Sequence, residues 1–184
     1  MQIYDKAEEK TRKIVIIFFG MTIYVRTFVG NRTEKDMTQE EKDERFMRMA
    51  LDEARQAFDA GEVPIGAVIV CRDTIVARAH NLTETLCDVT AHAEMQAITA
   101  AANTLGGKYL KDCTLYVTVE PCTMCAGALG WAQVARIVYG CADEKRGYQL
   151  YAPRALHPKT QTSSNVMQEE CRQLMQQFFQ QRRP

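Results

Sequence analysis

A net charge is missing from this sequence. Its 23 basic and 23 acidic residues cancel, so no global field points to a polyanionic partner, and any nucleic-acid contact has to be a local patch. A long apolar run is missing too. The best candidate starts at Lys13-Ile14-Val15-Ile16-Ile17-Phe18-Phe19 and reaches Arg26 only through breaks at Gly20 and Thr22. A bilayer span needs about 20 apolar residues, so no transmembrane helix is expected. Arg26, Asn31 and Arg32 follow where a signal peptide would place its small-residue cleavage site, which argues against secretion. Histidines number only three. Seven cysteines in 184 residues is an odd count and no small disulfide framework, so they read as reduced and the compartment as cytoplasmic. There is no repeat and no low-complexity segment. What remains, 46% hydrophobic and 25% charged, is the make-up of a soluble domain with a sizeable core.

The first 36 residues differ in pattern from the rest. Met37-Thr38-Gln39-Glu40-Glu41 reads as a natural start, with Thr38 as helix N-cap and Glu41 completing a capping box. Residues 1–36 are then either the product of a wrongly chosen start or an extra strand or anchor; the first reading is favoured, leaving 37–184 as the domain. Phe46, Met49, Ala50, Ala54, Ala57 and Phe58 recur at helical spacing up to Gly61. Two β-branched runs, 64–71 and 74–80, flank Arg72-Asp73 as a hairpin. A helix is predicted over about 91–102, a strand over 114–119, a helix opening at Pro121 and extending to about 133, and a strand over 134–139 closed by Gly140. Residues 166–182 read as a final amphipathic helix. Strands alternating with helices imply a sheet covered on both faces.

Two short segments carry chemistry: His92-Ala93-Glu94, and Pro121-Cys122-Thr123-Met124-Cys125. One imidazole and two thiolates are donors that zinc prefers. A catalytic zinc keeps three protein ligands and a fourth position for water, whereas a structural zinc is closed by four. A lone Cys-x-x-Cys could also be a redox pair or half of a closed site. Cys71, Cys87, Cys113, Cys141, Cys171, His80 and His157 are scattered singly, and any could approach in space. Three ligands beside a spare Glu94 favour the open, hydrolytic arrangement. Residues two apart on a helix face nearly opposite ways, so His92 and Glu94 converge only where the chain enters a helix. Both ligand segments are thus expected at helix N-termini, where the dipole favours thiolate over thiol. Glu94 is the candidate general acid and base, a role worth about 10²–10⁴-fold.

On these residues the chain resembles the zinc-dependent cytidine deaminase superfamily, and within it the branch acting on adenosine in tRNA. The resemblance runs over roughly 38–184. It is carried by Pro121-Cys122-Thr123-Met124-Cys125-Ala126-Gly127-Ala128, Arg136-Ile137-Val138-Tyr139-Gly140, Glu62-Val63-Pro64-Ile65-Gly66-Ala67, Asn81, Asp88 before Thr90-Ala91-His92-Ala93-Glu94, and Phe178-Phe179 with Arg182-Arg183. It implies a three-layer α/β/α fold around a central five-stranded mixed sheet. It also implies one zinc per subunit on His92, Cys122 and Cys125, a catalytic Glu94, and a homodimer that does not enter a membrane. The implied substrate is the wobble adenosine of a tRNA anticodon stem-loop, converted to inosine. Substrate-side positions carried over are Asn81, the Ala93 backbone, Pro64 and Asp143; Lys145, Arg146, Phe178, Phe179, Arg182 and Arg183 would face RNA. Gln161-Thr162-Ser163-Ser164-Asn165 stands where the family has a hydrophobic strand and a Gly turn, so the last strand should be short, with Asn165 able to turn left-handed.

Two other readings use the same residues. A deaminase of free nucleobases or nucleosides, such as guanine or cytosine, would share the zinc and the glutamate. A non-catalytic, zinc-stabilised partner subunit would be expected to lack the carboxylate, and Glu94 is present.

Overall fold

The computed structural model describes residues 37–182, and for 3–8, 11–18 and 21–27 the path of the backbone. It divides into two units, Met1–Thr38 and Gln39–Pro184. In the first, β1 (Ile3–Glu8), β2 (Thr11–Phe18) and β3 (Met21–Thr27) form an antiparallel sheet in that order; the apolar stretch noted above supplies β2 and β3.

The second unit begins with α1 (Gln39–Asp59), whose Phe46, Met47, Ala50, Leu51, Ala54 and Ala57 recur at helical spacing and are all buried. The hairpin follows as β4 (Gly66–Cys71) and β5 (Thr74–His80), then α2 (Ala93–Leu105), β6 (Cys113–Val119), α3 (Thr123–Ala132), β7 (Arg136–Cys141), the short α4 (Tyr148–Tyr151), β8 (Gln161–Ser163) and α5 (Gln168–Gln181). The sheet runs β5-β4-β6-β7-β8; β4 is antiparallel to β5 and β6, while β6, β7 and β8 are parallel. This is the expected mixed, five-stranded sheet.

Strand alternation assigns the two faces. Ala67, Ile69, Leu115, Val117, Ile137 and Tyr139 pack with Ala93, Ala97, Ala101 and Leu129 of α2 and α3. Val68, Val70, Tyr116 and Val138 pack with Phe46, Met47 and Leu51 of α1 and Cys171 of α5. The result is the three-layer α/β/α sandwich. One buried ion pair ties its second face together. Asp43 of α1 takes both terminal nitrogens of Arg136, at 2.7 and 2.6 Å, and the Tyr116 hydroxyl at 2.9 Å; Arg136 also reaches Ser163 of β8. Burial alone would raise the Asp43 carboxyl, but these hydrogen bonds outweigh it and hold the group below its ordinary value.

The last strand is as short as expected, and two other boundaries differ from expectation. β8 is three residues long, and Asn165 does adopt φ 67° in the turn after it. Gly140 lies inside β7 instead of closing it. A Cβ there would fall 2.3 Å from Cys171 Sγ and 2.6 Å from the Thr118 carbonyl, so the glycine lets α5 approach the sheet. α3 starts two residues after Pro121, because Cys122 is extended at φ −72° and ψ 172°.

Candidate active site

The parallel strands β6 and β7 end together at Val119 and Cys141. Ligands of open α/β sheets gather outside such carboxyl ends. The entries to α2 and α3 converge there. His92 is the N-cap of α2, extended at φ −67° and ψ 153°; Cys122 is the N-cap of α3, and Cys125 lies in its first turn. Neither cap side chain bonds its own helix, because both turn toward each other. His92 Nδ1 stands 3.7 Å from Cys122 Sγ and 3.5 Å from Cys125 Sγ. Donors placed about 2.1–2.3 Å from one tetrahedral zinc would be roughly 3.5–3.8 Å apart, so the three residues fit the ion. Among the described residues they are also the one group of metal donors, all within 4.8 Å of one another, and no fourth Cys or His closes the set. The scattered cysteines are free thiols; Cys113, Cys141 and Cys171 are buried, while Cys87 is exposed.

The local electrostatics suit a cation. A hydrogen bond from the Cys125 thiol, with a further one from His92, brings Cys122 down to about 4 against the opposing effect of burial. The same interaction pushes the Cys125 thiol up, and the contact with Cys122 raises His92. Glu94, one residue into α2, is 2% exposed, and its Oε2 is the one buried side-chain oxygen or nitrogen without a hydrogen-bond partner among the described residues. Burial raises its pKa. Glu94 lines the same cavity as His92 and Cys122, so a buried oxygen with no partner lies near the three metal donors.

Behind the site lies a second buried carboxylate, which the sequence did not single out as functional. Glu62 Oε2 accepts the Asn81 amide at 3.0 Å, the Thr83 hydroxyl at 3.2 Å and the Glu84 N–H at 3.2 Å; Oε1 accepts the Thr85 N–H at 2.7 Å. Asn81 is thereby buried and held. Pro64 is buried as well, and its neighbours Val63 and Ile65, not Pro64, line the cavity that opens from His92 and Glu94. Ala93 is buried at the start of α2.

That cavity is about 1130 Å3, and its far wall is one stripe of α5: Arg172, Met175, Gln176 and Phe179. The first three were not anticipated; their spacing of three and four residues was the available signal. Lys145, Arg146 and Asp143 line the cavity as well. Asp143 Oδ1 accepts the N–H groups of Lys145 and Arg146, at 2.9 and 3.0 Å, so it shapes this loop. Glu120, next to Pro121, takes the N–H of Asp143 and of Gln149 from inside. Gly147 leaves it room, since a Cβ there would lie 2.5 Å from the carboxylate. Of the two phenylalanines expected to face RNA, Phe178 is 4% exposed and packs edge-on against Phe58, whereas Phe179 is 47% exposed. The Arg182 guanidinium sits 4.4 Å from the Phe178 ring and donates to the Gly61 carbonyl, so its charge is engaged at the cavity edge. Arg183 lies outside the described residues.

Comparison with known proteins agrees with this geometry. The family described as the cytidine and deoxycytidylate deaminase zinc-binding region matches residues 40–141. The tRNA-specific adenosine deaminase of Bacillus subtilis is 44% identical over 148 residues, covering 78% of this chain and 90% of that protein. A structure from studies of A-to-I editing by tRNA:A34 deaminases at the wobble position superposes with a TM-score of 0.67 at 41% identity, covering 71% of this chain and 98% of that one. The guanine deaminase of Bacillus subtilis superposes with a TM-score of 0.52 at 40% identity, over 58% of this chain and 66% of its own.

Proposed function

Because the chain belongs to the zinc-binding cytidine and deoxycytidylate deaminase family, we infer that it is a hydrolase that deaminates the wobble adenosine of a tRNA to inosine. The observation that carries the chemistry is the unpartnered Glu94 oxygen beside the three donors. When bound on His92, Cys122 and Cys125, zinc supplies Lewis acidity that activates water near neutral pH. Glu94 would take one proton of the attacking water on Oε2 and deliver it to a ring nitrogen. It would then take the second proton from the new hydroxyl and pass it to the amino group, which leaves as ammonia as the C–N bond breaks. Water is consumed and ammonia released, so adenosine becomes inosine. Asn81 and the Ala93 backbone orient the base, and the Pro64 segment supports the wall through Val63 and Ile65. Asp143, Lys145 and Arg146, together with Phe179 and Arg172, meet the flanking nucleotides. A wobble base is unpaired in its loop, which lowers the cost of extruding it into a pocket.

The coverage favours the tRNA reading. The tRNA:A34 deaminase structure is covered over 98% of its length, the guanine deaminase over 66%. The second match keeps free guanine as the alternative substrate. In this reading residues 37–184 are the deaminase domain and 1–36 an extension to it. The working form is a homodimer in the cytoplasm; Trp131, 85% exposed, and the exposed Val89 and Tyr151 supply apolar surface for a second copy. Inosine formation from an anticodon stem-loop with a wobble adenosine, run beside free adenosine, cytosine and guanine, tests the proposal. Turnover of the stem-loop alone establishes it; turnover of a free base with the stem-loop untouched moves the protein to nucleobase metabolism.

A further inference from the structure

We propose that Glu62 is a positioning residue for deamination, holding Asn81, at the start of the turn that leads to His92, in the geometry the substrate requires. The proposal rests on the deaminase reading above. Glu62 is 0% exposed, and no cation pairs with it among the described residues. A buried charge without a counter-ion is costly unless hydrogen bonds satisfy it. Here four donors do so, and all come from the stretch 81–85, between 19 and 23 residues further along the chain. Two are backbone N–H groups, so the carboxylate fixes the path of the chain as well as its side chains.

The Asn81 amide is held twice, by Glu62 and by Thr83 Oγ1 at 2.9 Å, which sets its plane from behind. Its backbone N–H is tied to the Ile65 carbonyl at 3.0 Å, beside the cavity wall. From there the turn is closed on itself. Leu82 N–H meets the Ala91 carbonyl at 3.0 Å, and Asp88 takes both the N–H and the hydroxyl of Thr90 at 2.8 Å. Ala91 and then His92 follow. Glu62 therefore sits at the root of a segment with the base-facing Asn81 at one end and a metal donor at the other. Ordinary hydrophobic packing would not need a carboxylate at that point.

The test is a double-mutant cycle of Glu62→Gln with Asn81→Ala, reading inosine formation on the stem-loop together with zinc content. Gln keeps the shape but turns an amide N–H toward groups that themselves donate. Glu62→Gln should lower kcat/KM by about 10–100-fold, the range for groups that orient a ligand without touching the reaction, with zinc retained. In the Asn81→Ala background the same change should add no further loss, because its effect passes through Asn81. Losses that multiply, unchanged activity in Glu62→Gln, or loss of zinc from that variant each overturn the proposal. If Glu62→Gln does not fold, Thr83→Val removes one member of the network and carries the same cycle, with a smaller loss that again vanishes beside Asn81→Ala. The unmutated protein is the control for the deaminase reading. If it turns over a free base instead of the stem-loop, that reading changes and the cycle is run on that base.

Discussion

Glu62 and Glu94 are both closed to solvent, at 0% and 2% exposure, yet they are opposite kinds of carboxylate. Four donors surround Glu62, and although burial pushes its pKa up, the hydrogen bonds from Thr85, Glu84 and Thr83 leave it lowered. Glu94 has an oxygen with no partner, and burial raises its pKa. Both are closed to solvent, but Glu62 lies shallow beneath the turn 81–85 and Glu94 lies deep in the fold, so depth and the supply of donors together separate them. A carboxylate saturated with N–H groups is ionised and immobile, which is what a brace needs. A carboxylate starved of them has spare basicity, which is what a proton carrier needs. Glu94 lines the cavity, and Glu62 does not, though its neighbour Val63 does.

Glu94→Ala should break the comparison most visibly. Turnover should fall by about 10²–10⁴-fold, the worth of general acid–base catalysis, while zinc stays at its wild-type content. Thermal stability should change little, because the cost of the buried, unpartnered Oε2 offsets the bonds made to the Glu94 backbone N–H and the Cys125 thiol. Metal loss in this variant, by elemental analysis, would make Glu94 a ligand and remove it from the role assigned here. Cys122→Ser comes next. It removes a donor itself, so metal affinity should fall by more than the about 10–100-fold seen for outer groups, and melting temperature should fall with it. Unchanged zinc would mean a different ligand set.

Asp43 extends the comparison to a carboxylate that is braced by a cation. Asp43→Ala leaves Arg136 largely buried and unpaired, at 19% side-chain exposure, and should cost about 3–5 kcal/mol in denaturant unfolding, with activity of the folded fraction retained. The pH dependence follows from sign. Asp43, Glu53 and Glu62 all have lowered pKa values in the folded state; for each, burial raises it and hydrogen bonds more than compensate. Their stabilisation is present above the unfolded carboxylate range, near about pH 4, and is lost as pH falls through the lower folded values. Asp43→Asn and Glu62→Gln should therefore lose less stability than wild type on acidification below about pH 4. A steeper acid loss in either variant would contradict its assignment as a braced carboxylate.

The sequence reveals the starved carboxylate and conceals the braced one, for a physical reason. Glu94 belongs to His92-x-Glu94, where the spacing of two has a consequence: both side chains can converge only at a helix entry, and α2 begins there. β5, at Thr74–His80, was equally legible because a turn signal and β-branched residues bound it. Glu62 makes its bonds to residues beyond the hairpin, two of them to backbone N–H groups that every residue but proline carries, so no spacing or residue type marks it. The Phe178-Phe179 pair is a different case. Neighbours on a helix point about 100° apart, so one must face inward and the other outward. Phe58 of α1 decides which, and nothing local to α5 encodes that.

The smallest expected effect sharpens the comparison by subtraction. Every hydrogen-bond partner of Glu62 described above lies between residues 81 and 85, and the three metal donors beside Glu94 lie between 92 and 125. Residues 1–36 belong to the separate Met1–Thr38 unit, whose sheet pairs β1, β2 and β3 among themselves. Deleting 1–36 should then leave kcat/KM, zinc content and the acid unfolding profile as they are in the full chain. The three readouts divide any failure. A change in acid unfolding alone would locate a contribution at the braced carboxylates. A change in kcat/KM with zinc intact would locate it at the cavity rim. Loss of all three would make the N-terminal sheet a part of the fold on which both carboxylate environments depend.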